Sequence, residues 1–177
     1  MRRGSTVVGH APVVASEGYP LAYLITFRCY GTWLHGDARG SIDPQHNQPG
    51  EPLLPNNPAM HQRRCGALRH PPMALRVEHR SLVERTVRGV CQYRGWELHA
   101  LNVRRDHVHV VVGADCRPEL VMTSFKSWST RRLREAGLAA ADGRVWSRHG
   151  STRYLWTPKA IEDASLYTLE AQEGEQA

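Results

Sequence analysis

The chain has 177 residues, 41% hydrophobic and 23% charged, ordinary proportions for a folded protein with a sizeable core. These values exclude a coiled coil, a collagen and a wholly disordered chain, and no run of about 18 apolar residues is present to cross a bilayer. The net charge is +6, and because five acidic residues and no basic ones follow Lys159, the first 160 residues carry +11, a surface suited to a polyanion such as DNA or RNA.

Residues 1–18 lack periodicity and read as a disordered N-terminal segment. Their apolar stretches are short and broken by His10 and Pro12, which argues against a signal peptide, so the chain reads as cytoplasmic. Residues 19–30 are rich in aromatic and β-branched types and predict a buried strand, ended or kinked by Gly31. Residues 36–72 hold seven of the eleven prolines and four glycines without periodicity, and read as a structureless Pro/Gly-rich insertion. From 73 to 93, Val77, Leu82, Val83, Val87, Val90 and Cys91 recur at helical spacing, with Gly95 as a stop. Residues 96–103 and 107–112 read as two strands of a hairpin with a polar turn at 104–106. Pro118 opens a helix over 118–136, residues 145–156 form a further strand, and Pro158 opens a last helix over 158–172. An acidic tail, 173–177, closes the chain. Adjacent strands in hairpins with helices between them predict an α+β sandwich on an antiparallel sheet, a single domain over 19–172. The cysteines, Cys29, Cys65, Cys91 and Cys116, include no C-x-x-C pair and read as reduced, mostly buried thiols.

Three features could carry chemistry. His107-Val108-His109 places two imidazoles on one face of a strand, where they can share a divalent metal, while Val108 and Val110 turn to the core. The same spacing also arises on an ordinary half-exposed strand in a chain with ten histidines. A histidine-triad hydrolase would need a further His at the next alternate position, where Val111 stands. Tyr167 lies on the last helix; a phenol stays protonated near neutral pH and needs a metal or cation to act as a nucleophile, and the residue also suits a helix-to-sheet packing contact. Basic and aromatic residues gather in Lys126, Trp128, Arg131 and Arg132, then in Arg148, His149, Arg153, Tyr154 and Trp156. Such residues neutralise phosphates and stack on unpaired bases, although at least one of Trp128 and Trp156 is expected in the core.

In order and spacing these segments resemble a known family. The hairpin ending in Asn102-Val103-Arg104-Arg105-Asp106-His107-Val108-His109 is similar to the metal-binding strand of HUH nucleases. With the strand Leu24-Ile25-Thr26-Phe27-Arg28, the helix segment from Phe125-Lys126 to Leu133, and His149 to Trp156 followed by a Tyr-bearing helix, it resembles the single-tyrosine HUH transposases of small insertion sequences (IS200-like) and their REP-associated relatives. The resemblance implies a ferredoxin-like α+β sandwich in which His107, His109 and a third polar residue hold Mg²⁺ or Mn²⁺ on the scissile phosphate. Tyr167 would attack single-stranded DNA at hairpin-bearing element ends, leaving a 5′-phosphotyrosine and a free 3′-hydroxyl. Insertion-sequence members carry a Gln four residues after the Tyr. Here Ala171 holds that place and Gln172 follows, so Gln172 is carried over as the third ligand, with Glu170 and Asp163 as alternatives on the Tyr face. DNA contacts are expected from Lys126, Arg131, Arg132, Arg148, His149 and Arg153. The family implies a homodimer or a monomer, and the absence of a long apolar run leads to the expectation of no membrane partner. Two other functions fit the same residues: a domesticated or non-catalytic nucleic-acid-binding protein on this fold, and an RNA-binding module.

Overall fold

The computed structural model describes residues 18–40 and 54–170. The expected disordered segment, all but its last residue, Gln172 and the acidic tail lie outside the described residues. Strand β1 (Ala22–Cys29) is followed by helices α1 (Pro58–Gly66) and α2 (Val77–Arg94), the hairpin β2 (Glu97–Val103) and β3 (His107–Gly113), helix α3 (Pro118–Glu135), strand β4 (Trp146–Leu155) and helix α4 (Pro158–Glu170). The sheet order is β2-β3-β1-β4 and every pair is antiparallel. With α1 set aside, β1 to β4 and the helices between them follow the β-α-β-β-α-β order of ferredoxin-like sandwiches, as the sequence predicts.

Local signals explain the helix ends. Gly95 adopts φ 69° after α2, and the Trp96 N–H reaches back to the Cys91 carbonyl at 2.9 Å. Gly137 adopts φ 68° after α3, and Leu138 N–H reaches the Leu133 carbonyl at 2.8 Å. Both are glycine caps in the left-handed region, where other residues meet steric strain.

The reading of 36–72 as structureless is corrected by α1. Asn57 caps it, its side chain accepting from the Met60 N–H at 3.0 Å, and Pro58 occupies the first turn. The helix buries no residue of its own, so it leaves no apolar stripe for periodicity to detect. Gly36 lies so close to α1 that a Cβ there would strike the Asn57 carbonyl and the His61 N–H, which fits the helix against the segment after β1.

The two faces of the sheet differ. Tyr23, Ile25 and Phe27 of β1 and Val108, Val110 and Val112 of β3 pack under α2 and α3 against Val83, Val87, Phe125 and Leu133. The opposite face has a thin apolar cluster at one end only: Ala22, Ala100, Val111 and Leu155 meet Ala164 of α4. Toward the other end of β1 and β3 that face turns polar, with Thr26 paired across from His109 and Arg28 across from His107. The expectation of a core Trp128 or Trp156 is also corrected: both are exposed, and Trp146 fills the core edge-on to Phe27 at 5.0 Å between centroids. Of the cysteines, Cys29 and Cys91 are buried and Cys65 is exposed. Burial pushes the Cys29 and Cys91 thiols up to about 12 and about 11. Among the described residues no helix is long and apolar enough to cross a membrane.

Candidate active site

Alternation along β3 sends Val108 and Val110 into the main core and His107 and His109 to the polar face. The two imidazoles meet edge to face, 4.6 Å between centroids, and both are nearly buried. Each ring is held through Nδ1. His107 Nδ1 lies 2.5 Å from Asp106 Oδ1, and His109 Nδ1 lies 2.8 Å from the Thr26 hydroxyl. An ionised carboxylate only accepts, so His107 Nδ1 carries the hydrogen. The His107 hydrogen bond, with Arg39 and Arg28 nearby, holds the Asp106 carboxyl down at about 2. Burial, then the neighbouring His107, Arg28 and Arg104 charges, pushes His109 down to about 4, so that ring is neutral at pH 7, the form that ligates metals. Side chains that fix the ring orientation of metal-binding histidines commonly do so through the nitrogen not given to the metal.

Helix α4 brings Tyr167 to this pair. The Tyr167 ring stands edge-on to His109 at 5.9 Å between centroids and is about half exposed. Thr157 caps the helix start through the Ala160 N–H at 3.1 Å. Near its far end, Asn102, across β2 from His109, donates to the Thr168 carbonyl at 2.9 Å, and the Thr168 hydroxyl donates to the Ala164 carbonyl at 2.8 Å. Tyr167 is thus hung over the histidines from the residue that follows it. Within one chain the site gathers two imidazoles and a phenol over a floor of Thr26, Arg28 and Ser151.

The alternative third ligands do not join them. Among the described residues no three His, Cys, Asp or Glu side chains are grouped so as to hold a metal ion, and the one carboxylate beside the pair, Asp106, is hydrogen-bonded to His107 Nδ1. Asp163 is turned to Lys159 at 3.0 Å, and Glu170 is exposed at the end of α4. The expected DNA-contact residues fall into three places. Arg153 lies across from Leu24 and Ser151 across from Thr26, so Arg153 shares the histidine face at the sheet edge, while His149 lies in the stretch of β4 where the register slips. Arg148 lines a basic cleft of about 640 Å³ with Arg134 and Arg144, between α3 and β4. Arg131 and Arg132 lie on the solvent face of α3, each paired with Glu135 at 2.8 and 3.0 Å, on the side of the sheet away from the histidines.

Lys126 has a different place from the one its sequence neighbours suggest. Opposite Phe27 and Cys29 the register of β4 slips, and its bulged residues turn their carbonyls away from β1. Lys126 Nζ donates to those of Ser147, Arg148 and His149 at 3.0, 3.5 and 3.1 Å. The ammonium group is thus directed to backbone acceptors of the domain, and burial lowers the lysine's pKa from its ordinary value. The residues that sequence reasoning passed over are Asp106, Thr26, Arg28 and Asn102, all inside the segments that carry the resemblance and on the right alternation, and Arg39, for which no local signal exists.

Comparison with known proteins bears on this architecture. None of the curated proteins matches the chain. Among solved structures, a protein assigned as a transposase from Deinococcus radiodurans R1 is 17% identical, with 94% of this chain and 95% of that one covered and a TM-score of 0.50, a likeness of fold. A REP-associated tyrosine transposase, solved bound to a REP hairpin, is 10% identical over 90% of this chain and 70% of that one, with a TM-score of 0.45. The family described as "Transposase IS200 like" matches residues 69–158, a span that holds His107 and His109 and ends before Tyr167. That span is just over half of the chain, and the protein belongs to the IS200-like transposase family.

Proposed function

We propose that this protein is a transposase that cuts and rejoins single-stranded DNA through a covalent link to Tyr167. The observation that carries this reading is the edge-on placement of the Tyr167 ring on His109 beside His107, all in one chain. His107 and His109 would hold Mg²⁺ or Mn²⁺, and the donor set suits it: both rings are fixed through Nδ1 and His109 is neutral at pH 7. Gln172, five residues past Tyr167, is assigned as the third donor. When bound, the cation would act as Lewis acid on the phosphoryl oxygen and fix its orientation.

In the first transfer the Tyr167 oxygen gives up its proton and bonds to phosphorus. The bond from phosphorus to the 3′-oxygen breaks, and that oxygen leaves as a 3′-hydroxyl. The 5′-phosphotyrosine preserves the phosphodiester energy, so a 3′-hydroxyl from another end reverses the step and joins new partners without ATP. Arg28 and Arg153 lie where the strand's phosphates would cross the face, with His149, Arg148, Arg131 and Arg132 as more distant contacts. The substrate is read as hairpin-bearing element ends in the cytoplasm, handled by a monomer or a homodimer.

One observation favours a second reading, a non-catalytic or domesticated DNA-binding protein: among the described residues no group of three His, Cys, Asp or Glu is placed to hold a metal ion. Incubation with Mn²⁺ and a single strand carrying the element's own end, followed by digestion and mass spectrometry, separates the two. The expected result is a phosphotyrosyl nucleotide on Tyr167, lost in Tyr167→Phe and in the double variant His107→Ala/His109→Ala. An adduct on Tyr154 or Tyr93 instead, or binding with no adduct at all, overturns the proposal.

A further inference from the structure

We infer that Arg39 is a positioning residue for His107, acting through Asp106, so that the segment following β1 belongs to the active-site apparatus. The inference rests on the reading of His107 as a metal ligand. Asp106 is the last residue of the β2–β3 turn, and its two oxygens face different partners. Oδ1 accepts from His107 Nδ1 at 2.5 Å. Oδ2 faces Arg39 Nη1 at 3.2 Å and Arg28 Nη1 at 3.7 Å. A carboxylate that is free to rotate about its last bond would let the imidazole turn with it. Holding the second oxygen stops that rotation.

Arg39 is itself fixed from the other side. Its Nε and Nη2 meet the two oxygens of Asp37 at 2.9 and 3.0 Å, and Nη2 also donates to the Thr32 carbonyl at 2.7 Å. The guanidinium fork therefore spans Asp37, Thr32 and Asp106 at once, a geometry that a lysine ammonium cannot reproduce. Around it the segment closes on itself. Trp33 Nε1 donates to the Gly40 carbonyl at 2.6 Å, Arg28 lies over the Trp33 ring at 3.7 Å, and the Thr32 hydroxyl donates to the Cys29 carbonyl at 2.9 Å. A nine-residue stretch, 32–40, thus ends on the one carboxylate that orients His107. Because the Arg39 side chain is half exposed, its ion pairs contribute little to folding, and their geometric role is separable from stability.

The test uses the full chain, without DNA, and two readouts. Mn²⁺ binding is followed by the electron paramagnetic resonance of the free ion. The His107 tautomer and ring order are followed by ¹⁵N NMR of the metal-free protein. Arg39→Ala is expected to weaken Mn²⁺ binding by about tenfold, as outer-shell partners of metal ligands do. It is also expected to move the His107 nitrogen signals from a single Nδ1–H form toward a tautomer mixture, with little change in melting temperature. Arg39→Lys should restore only a minor part of either, and Asp37→Asn, which frees the guanidinium without touching it, should give a weaker version of the same effects and serves if Arg39→Ala does not fold. Unchanged His107 signals and unchanged Mn²⁺ affinity in Arg39→Ala overturn the inference. If His107→Ala leaves Mn²⁺ affinity unchanged, the metal reading fails instead, while the metal-free ¹⁵N signals still decide whether Arg39 positions the ring.

Discussion

Lys126 and His107 are both polar residues on a regular element, yet their surroundings give them opposite roles. The lysine's hydrogens are spent on three carbonyls exposed by the β4 bulge. Removing it leaves those acceptors without their donor at a half-buried site, and Lys126→Ala is expected to lower stability by about 1–3 kcal/mol in urea denaturation. The same variant should leave the salt dependence of DNA binding unchanged, unlike a variant of an outward-facing arginine. Nothing in the sequence distinguishes Lys126 from Arg131 on the same helix, because the distinction is made by a bulge about 20 residues away. The histidines, by contrast, were legible: a two-residue period on an apolar strand puts His107 and His109 on one face by geometry alone. Asp106 could have been found beside them. Arg39 could not, since its link to Asp106 spans 67 positions and leaves no periodic trace.

At the scale of elements, what the sequence shows depends on how much each element buries. Helices α2 and α3 carry apolar residues at helical spacing into a shared core, and their ends fall within a few residues of the sequence expectation because glycines close both. Helix α1 buries nothing and was invisible. Helix α4 lies between these cases. Its start was readable from Pro158, but it buries only Ala164 and Thr168, with Ala160 and Ile161 partly buried against a cluster of Ala22, Ala100, Val111 and Leu155. Little apolar area holds it, and the Asn102–Thr168 hydrogen bond is the main side-chain tie near its end. Its amides are therefore expected to exchange with deuterium well before those of α2 and α3. Asn102→Ala should speed that exchange further and reduce adduct formation by about an order of magnitude, with only a small fall in melting temperature. Exchange of α4 in step with α2 would show it to be part of the main cooperative unit.

For the whole molecule, the +11 charge on the first 160 residues sets the response to salt. Affinity for single-stranded DNA is expected to fall with a logarithmic slope of about −0.7 for each phosphate contact. Arg153→Ala and Arg148→Ala should each flatten that slope by about 0.7, measured by fluorescence anisotropy across a salt series. Arg131→Ala and Arg132→Ala should flatten it less, because each arginine is already paired with Glu135. A slope that is the same in all four variants would place the DNA elsewhere.

The strand order β2-β3-β1-β4 has a consequence for how such a protein can diverge. The histidines and the Thr26 that holds one of them ride on β3 and β1, each hydrogen-bonded to a neighbour on both sides. A change of backbone there disturbs two ladders at once. Arg148, His149 and Arg153 ride on β4, which has a neighbour on one side only and already accommodates extra residues in its bulge. Descendants of this chain can therefore lengthen, shorten or recharge the edge while the two central strands pass the paired histidines on unaltered.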